Sequence, residues 1–360
     1  MALSSRATLL FLLAACGGGG DDSDASTGTG ATSVTTQPTT ASTTAATSPT
    51  SGDATSGDAT GPGSSDATSG PTGDPTATTT AGSDATSDAT GGGPTSDTSG
   101  DTSGGDPGLD PNAPPIVDGP WYRPDTKTTF QYQLTGDLVT KYAADAYGID
   151  LFDNDAAAIA GLQAMGRKVI CYFSAGSGED WRPDYAMLDA AALGNPLDGW
   201  PGERWLDFRD PSVQQVMLGR LDLAVEKGCD GVDPDNVDVY TQDSGFTISA
   251  TEQLAYNRWM ANRAHQRGLA VGLKNDLEQV PDLVEYYDFE VNEQCHEYDE
   301  CDLAQPFVDA GKPVFNVEYP GTQADAQALA PSLCPQALAA DLRTVMSPYE
   351  LDGSWRVGCD

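Results

Sequence analysis

The sequence predicts an α/β fold in which residues 116–360 form a single (β/α)8 barrel, behind a signal peptide and a long disordered linker. Three observations carry this expectation. Eight short β-rich runs alternate with stretches of 3.6-residue apolar period. The region holding them has the length usual for one such barrel. Residues 17–115, by contrast, lack the residue types from which a core is built.

The N-terminal segment 1–16 reads as a secretory signal. Arg6 is its one charge, and an apolar run from Leu9 to Ala15 ends in "LAAC". The run is too short to span a bilayer as a mature helix. The small residues before Cys16 resemble a bacterial lipobox, whose cysteine is lipidated and opens the mature chain. An exported protein, held at the bacterial cell envelope by that lipid or secreted, is the expected outcome. Contact with a membrane is expected through this anchor alone.

Residues 17–115 are built almost wholly from Asp, Ala, Thr, Ser, Gly and Pro, with "SGDAT" and "SDAT" recurring. They contain acids but no Lys, Arg or aromatic residue, so nothing offsets the entropy of ordering. This segment is expected to be a disordered tether that gives the following domain reach.

The barrel strands are expected at 129–134, 148–153, 168–174, 228–235, 270–276, 288–294, 313–319 and 342–347. Helices lie between several of them. One starts behind Pro211–Ser212 and stops at Gly228; another opens with Ser249 and Glu252 in capping-box spacing and ends at Gly268. An open doubly wound sheet is the rival architecture. It would show a glycine-rich phosphate turn, and "SAGSG" supplies neither G-x-G-x-x-G nor a P-loop lysine.

Several strands end in polar or acidic residues: Asp153, Ser174, Asp235, Lys274–Asn275–Asp276, Glu293 and Glu318. A barrel carries its active site at this carboxyl end. The segment "CDGVDPDNVDVY", 229–240, crowds four aspartates with no basic residue among them. An EF-hand loop started at Asp233 would need glycine where Asp238 stands, so that pattern fails. Neither Ser174 nor Ser177 sits in a G-x-S-x-G elbow. With two histidines and no Cys-x-x-Cys, zinc is poorly supported, and neither metal nor cofactor is expected.

Paired carboxylates fit best. Hydrolysis of a glycosidic bond needs one carboxylate at the anomeric carbon and one acid at the leaving oxygen. Asp235 ends the fourth expected strand and Glu293 the sixth, and alternate strands of a barrel share a layer. Tyr172 and Trp181 are aromatics of the kind that stack on sugar faces. The net charge of −36 excludes nucleic acid as a partner and favours a cationic ligand.

Six cysteines follow Cys16, an even number. Cys295–Cys301 would close a short loop and Cys334–Cys359 would pin the C-terminus. Cys171 and Cys229 are either buried thiols or a third pair.

"FQYQL", "IDLFD", "VICYFSAGSGEDWRPD", "GCDGVDPDNVDVY", "VGLKND", "VNEQC" and "VEYPG" together resemble glycoside hydrolase family 114, the endo-α-1,4-polygalactosaminidase family. The resemblance runs from about Phe130 to Tyr319. It implies a TIM-like (β/α)8 barrel that cleaves galactosamine-rich α-1,4-linked polysaccharide with retention, with Asp235 as nucleophile and Glu293 as acid/base. Many members read Glu-Pro-Asp-Asn where this chain has Asp233-Pro234-Asp235-Asn236. Asp233 and Asn236 would orient Asp235, and Lys274 would tune it or hold a hydroxyl. Asp153, Asp276 and Glu318, with Asn275 beside them, would meet the amines of a cationic amino-sugar polymer, the protein acting as a monomer. A non-catalytic, surface-anchored polysaccharide-binding protein is the alternative, although it would have no need of both Asp235 and Glu293.

Overall fold

The computed structural model describes residues 108–359; the signal, Cys16 and most of the tether lie outside them. In chain order the elements begin with β1 (Phe130–Gln133), β2 (Ala146–Asp150), α1 (Ala156–Ala164) and β3 (Lys168–Ser174). Then come three short strands, β4 (Ser177–Glu179), β5 (Leu193–Pro196) and β6 (Glu203–Leu206), followed by α2 (Pro211–Lys227) and β7 (Gly231–Asp235). Next are α3 (Ala250–Gln266), β8 (Ala270–Lys274), α4 (Val280–Leu283), β9 (Phe289–Glu293), α5 (Cys295–Tyr298) and α6 (Gln305–Asp309). The domain finishes with β10 (Val314–Glu318), α7 (Gln323–Ala339), β11 (Arg343–Met346) and β12 (Val357–Gly358).

The caps explain why the long helices start and stop where they do. Asp210 accepts from Ser212 N–H with Pro211 at the first helical position, and Gly228 ends α2 in the left-handed region at φ 84°. Ser249 and Glu252 form the complete capping box of α3.

The main sheet runs β1-β2-β3-β7-β8-β9-β10-β11-β12. Its first eight strands pair in parallel, and β12 is antiparallel to β11. Strand parity sorts the side chains into two layers. Phe130, Tyr132, Ile170, Phe289, Val291, Phe315 and Val317 fill the inside of the curl. Val169, Cys171, Phe173, Val232, Val271 and Leu273 pack outward with the residues of the helices. The curl brings Phe130 of β1 onto Phe315 of β10, with ring centroids 4.4 Å apart.

The expected closed barrel needs one correction. Among the described residues no hydrogen-bonded pairing joins β1 to β11, so the sheet is a curled, TIM-like one with a seam. The C-terminal segment occupies that seam. Leu134 and Thr135 N–H donate to Leu351 O, and Arg356 Nη2 donates to Phe130 O. These main-chain groups, in β1 and just beyond it, are therefore satisfied by the returning C-terminal segment rather than by β11.

A second feature was not anticipated. Between β3 and α2 lies a three-stranded antiparallel sheet of order β4-β6-β5. Arg182 and Arg220 fasten it to the main sheet. Arg182 Nη2 lies 2.6 Å from Asp150 of β2, and its Nε donates to Glu179 of β4 at 2.9 Å. Arg220 of α2 pairs with Asp184 at 2.8 Å and donates to Ser174 O at 2.7 Å.

All six described cysteines are paired: Cys171–Cys229, Cys295–Cys301 and Cys334–Cys359. The two expected bridges are present, and the open case of Cys171 and Cys229 resolves as a third. Residues 111–116, at the border drawn for the tether, are hydrogen-bonded to the domain: Arg258 donates to Pro111 O, Asn262 Nδ2 to Pro114 O and Ile116 N–H to Asn262 Oδ1. Among the described residues no helix is long and apolar enough to cross a membrane.

Candidate active site

Parity places the site. In β7, Val232 packs outward, so Asp233 and Asp235 project inward. In β8, Val271 and Leu273 face out and Lys274 faces in; in β9, Phe289 and Val291 face in and Glu293 continues their side. Tyr132, Tyr172 and Tyr319 share that interior. Seven functional side chains thus converge at the carboxyl ends of six parallel strands. They line or underlie a cleft of about 300 Å³.

Lys274 is the centre of this group. Its Nζ lies 3.0 Å from Asp235 Oδ1 and 3.1 Å from Glu293 Oε2. Those two oxygens are therefore at most about 6 Å apart, against the roughly 5–5.5 Å of retaining and 6.5–9.5 Å of inverting glycosidases. Burial works against the Lys274 charge, yet Asp235, Glu293 and Asp233 together hold its pKa above the ordinary lysine value. The ammonium also stands 5.8 Å from the ring centres of both Tyr132 and Tyr172.

Each carboxylate has further donors. Tyr172 OH donates to Asp235 Oδ2 at 2.9 Å, and Asn236 N–H donates to Asp235 Oδ1 at 2.8 Å. Tyr319 OH donates to Glu293 Oε1, and Glu293 N–H donates to Asn275 Oδ1 at 2.9 Å. Burial, followed by the neighbouring carboxylates, raises both tyrosines well above the usual phenol range, so they remain donors.

Asp233 lies fully buried beneath the cleft. It accepts from Tyr132 OH at 2.8 Å through Oδ2, while Oδ1 has no hydrogen-bond partner. Burial pushes its carboxyl up to about 7, opposed by Lys274 and reinforced by Asp235. A carboxyl that is only partly ionised near neutral pH eases the crowding that four aspartates in one segment imply. The other three also find settings. Asp230 pairs with Lys168 at 2.7 Å, Asp235 pairs with Lys274, and Asp238 lines the cleft. The bases missing from the segment come from neighbouring strands.

The turns that follow β7, β8 and β9 share one backbone signature. Asn236, Asn275, Asp276 and Gln294 have φ of 60°, 50°, 42° and 62°, the left-handed region where Asn and Asp are over-represented. At Asn236 the turn is closely packed. Gly176 packs so closely that an added Cβ would stand 1.7 Å from Asn236 O. Asn236 Nδ2 then donates to Ser174 Oγ at 2.9 Å; Ser174 and Ser177 hydroxyls are 2.6 Å apart; Ser177 donates to Glu203 Oε2 at 2.6 Å. The chain of bonds ties the turn after Asp235 to the inserted sheet.

Of the residues singled out from sequence, Tyr172, Asp235, Asn236, Lys274, Asn275 and Glu293 line the cleft. Asp153, Trp181, Asp276 and Glu318 do not. Strand β2 ends at Asp150, and Asp153 sits beyond it with a 68% exposed side chain, 3.5 Å from Arg182. Trp181 is half exposed. Asp276 is buried and accepts from Asn257 of α3 at 2.8 Å and from Tyr240 at 3.2 Å. Glu318 accepts from His296 N–H at 2.9 Å and from Asn316 Nδ2 at 3.0 Å. Its neighbours Val317 and Tyr319 face inward, so parity alone marks Tyr319 as the cleft residue. Glu203, Asp238, Trp200 and Tyr349 also line the cleft without having been anticipated. Trp200 and Tyr349 come from opposite loops, with ring centroids 6.4 Å apart.

Among the described residues the one cluster spaced for a metal is Cys295, His296 and Cys301, and its sulfurs are spent in a disulfide. The cleft itself combines two carboxylates, a shared ammonium and two phenol donors, a set suited to acid–base and nucleophilic work.

Comparison with known proteins agrees with this chemistry. Residues 111–360 match the model of glycoside-hydrolase family GH114. Ega3 of Aspergillus fumigatus, solved in complex with galactosamine, is 42% identical; the match covers 66% of this chain and 97% of that one, with a TM-score of 0.61. The glycoside hydrolase domain of PelA from Pseudomonas aeruginosa shares the fold at 14% identity and a TM-score of 0.52, over 64% of this chain and 97% of that domain. An uncharacterised protein of Deinococcus radiodurans is 28% identical over 276 residues, which are 67% of this chain and 88% of that protein.

Proposed function

The chain belongs to glycoside hydrolase family GH114 and is a glycosidase, and from that premise we propose that it hydrolyses an α-1,4-linked, galactosamine-rich polysaccharide with retention. The observation that carries the reading is the shared contact of Asp235 and Glu293 with Lys274, which holds two carboxyl groups at the mouth of one cleft. The galactosamine in the complex of Ega3 supports an amino sugar as the unit recognised.

In this mechanism the Asp235 carboxylate attacks the anomeric carbon as the bond to the leaving oxygen breaks, and Glu293 gives that oxygen its proton. A glycosyl ester on Asp235 results. Glu293, now a carboxylate, takes a proton from water, whose oxygen displaces Asp235 from the anomeric carbon. Two inversions leave the configuration retained. Lys274 and Tyr172 fix Asp235, while Tyr319 and the Asn275-bound main chain fix Glu293. Asn236 locks the turn that carries Asp235, and Asp233 lies under Lys274 as a partly ionised spacer.

Incubating the protein with partially deacetylated polygalactosamine should yield new reducing ends, and Asp235→Asn should yield none while still binding the polymer. Binding by the wild-type protein without cleavage would overturn the assignment of substrate. We propose in addition that the chain is exported, which the three disulfides support, and that Cys16 is lipidated. Cys16→Ser should move the protein from the membrane fraction to the soluble one. Retention in the membrane would refute the anchor.

A further inference from the structure

The acids first expected to meet substrate amines lie outside the cleft, but two others face it. Lys274 is the one base lining the cleft, and it serves Asp235 and Glu293. Glu203 and Asp238 line the same space and form no ion pair among the described residues, Arg182 acting on Glu203 only from a distance.

Their hydrogen bonding is half complete. Glu203 is 8% exposed; its Oε2 accepts from Ser177 at 2.6 Å, and no protein group is hydrogen-bonded to Oε1. Asp238 Oδ2 accepts from Gln242 at 2.9 Å and from Thr241 at 3.2 Å, and Oδ1 has no protein partner. An oxygen that faces the cleft without a protein donor is free to take a cation or a donor from the ligand. Both groups feel the charge of Asp235. In a 2-amino sugar the nitrogen is borne on the carbon next to the anomeric one, so an ammonium must fall close to the nucleophile.

We propose that Glu203, together with Asp238, receives the ammonium groups of the amino sugars bound beside Asp235, and so sets the preference for free amine over acetamide or hydroxyl. This rests on the glycosidase reading above and names the residues that select its substrate. Burial pushes the Glu203 carboxyl up to about 7, and burial also raises Asp238; a bound cation would favour the charged form of each and recover part of that cost.

The test compares wild type, Glu203→Gln and Asp238→Asn as full-length proteins. Galactosamine and galactose are titrated against each, and KM and kcat are measured on deacetylated polygalactosamine. Wild type should bind galactosamine more tightly than galactose. Each variant should lose about 10-fold or more of that preference, as expected for a bond to a charged group. On the polymer the loss should lie mainly in KM. If Glu203→Gln is found unfolded by its melting curve, the less buried Asp238→Asn decides. An unchanged galactosamine-to-galactose ratio in folded variants overturns the inference, whether or not the polymer is cleaved. A wild type that prefers galactosamine through these residues but leaves the polymer intact would uphold the inference and refute the substrate reading.

Discussion

The ammonium of Lys274 lies 3.0 Å from Asp235 Oδ1 with only 3% of its side chain exposed, so the proposed nucleophile is held by a charge that water does not reach. A buried ion pair is costly to break from one side, because the partner is left uncompensated.

Lys274→Met is therefore expected to lower kcat/KM by about 100-fold or more, since Asp235 would lose its counter-charge. Steady-state kinetics, with a melting curve to show that the variant is folded, checks this. An unchanged kcat/KM in a folded variant would show that Lys274 acts only as packing.

Tyr319→Phe removes one donor from Glu293 and leaves the ring in place. The expected result is a fall in kcat of about 10-fold with KM little changed, because the bond serves the reacting group rather than ground-state binding. Tyr172→Phe should act in the same way through Asp235. Steady-state kinetics on the polymer distinguishes this from a loss of binding.

Stability should fall as pH rises through neutrality. Burial raises Asp276 to about 8, with Asp238 adding to the shift. Its folded pKa thus exceeds the unfolded value, and the folded state binds more protons across the window between them. The linked stability is fully present below the unfolded pKa, near 4, and is lost as pH approaches 8. Asp233 and Glu203, both pushed to about 7, act with the same sign. Melting temperatures should accordingly drop between about pH 5 and pH 8, and Asp276→Asn should flatten part of that drop. A slope unaffected by the substitution would remove Asp276 from the account.

The bridges should differ in what they support. Cys171–Cys229 spans 58 residues and Cys295–Cys301 spans 6, so chain entropy alone gives the longer loop an advantage of about 2 kcal/mol. Replacing the first pair by alanine should shift the denaturation midpoint more than replacing the second. The second pair, which begins two positions beyond Glu293, should cost more in kcat. Equal shifts in stability would contradict the loop-entropy argument.

Much of this was legible in the sequence because strand and helix signals are local. The eight parallel strands, the caps of α2 and α3, and the positions of Asp235 and Glu293 at strand ends follow from apolar runs and their punctuation. The rim was harder. Glu318 was read as the last acid of its run, whereas the inward parity of Val317 passes to Tyr319. Asp153 was placed at a strand end because the start of β2 was set two residues late. The inserted sheet left almost no trace: "SGE", "LGNP" and "ERWL" are too short to show alternation. Glu203 went unseen with it. The seam between β1 and β11 was equally hidden, since it depends on a returning loop that only the folded chain brings back.

The inserted sheet has a consequence for how such proteins diversify. The groups assigned to bond cleavage are encoded in 231–293, on strands of the main sheet, whereas Trp200, Glu203 and Trp205 reach the cleft from 177–206. The insert is joined to the main sheet through a few fixed contacts, Arg182 on Asp150 and Ser177 on Ser174. Exchange of the insert, with those joints kept, is therefore expected to alter which sugar is accepted without rewriting the reaction.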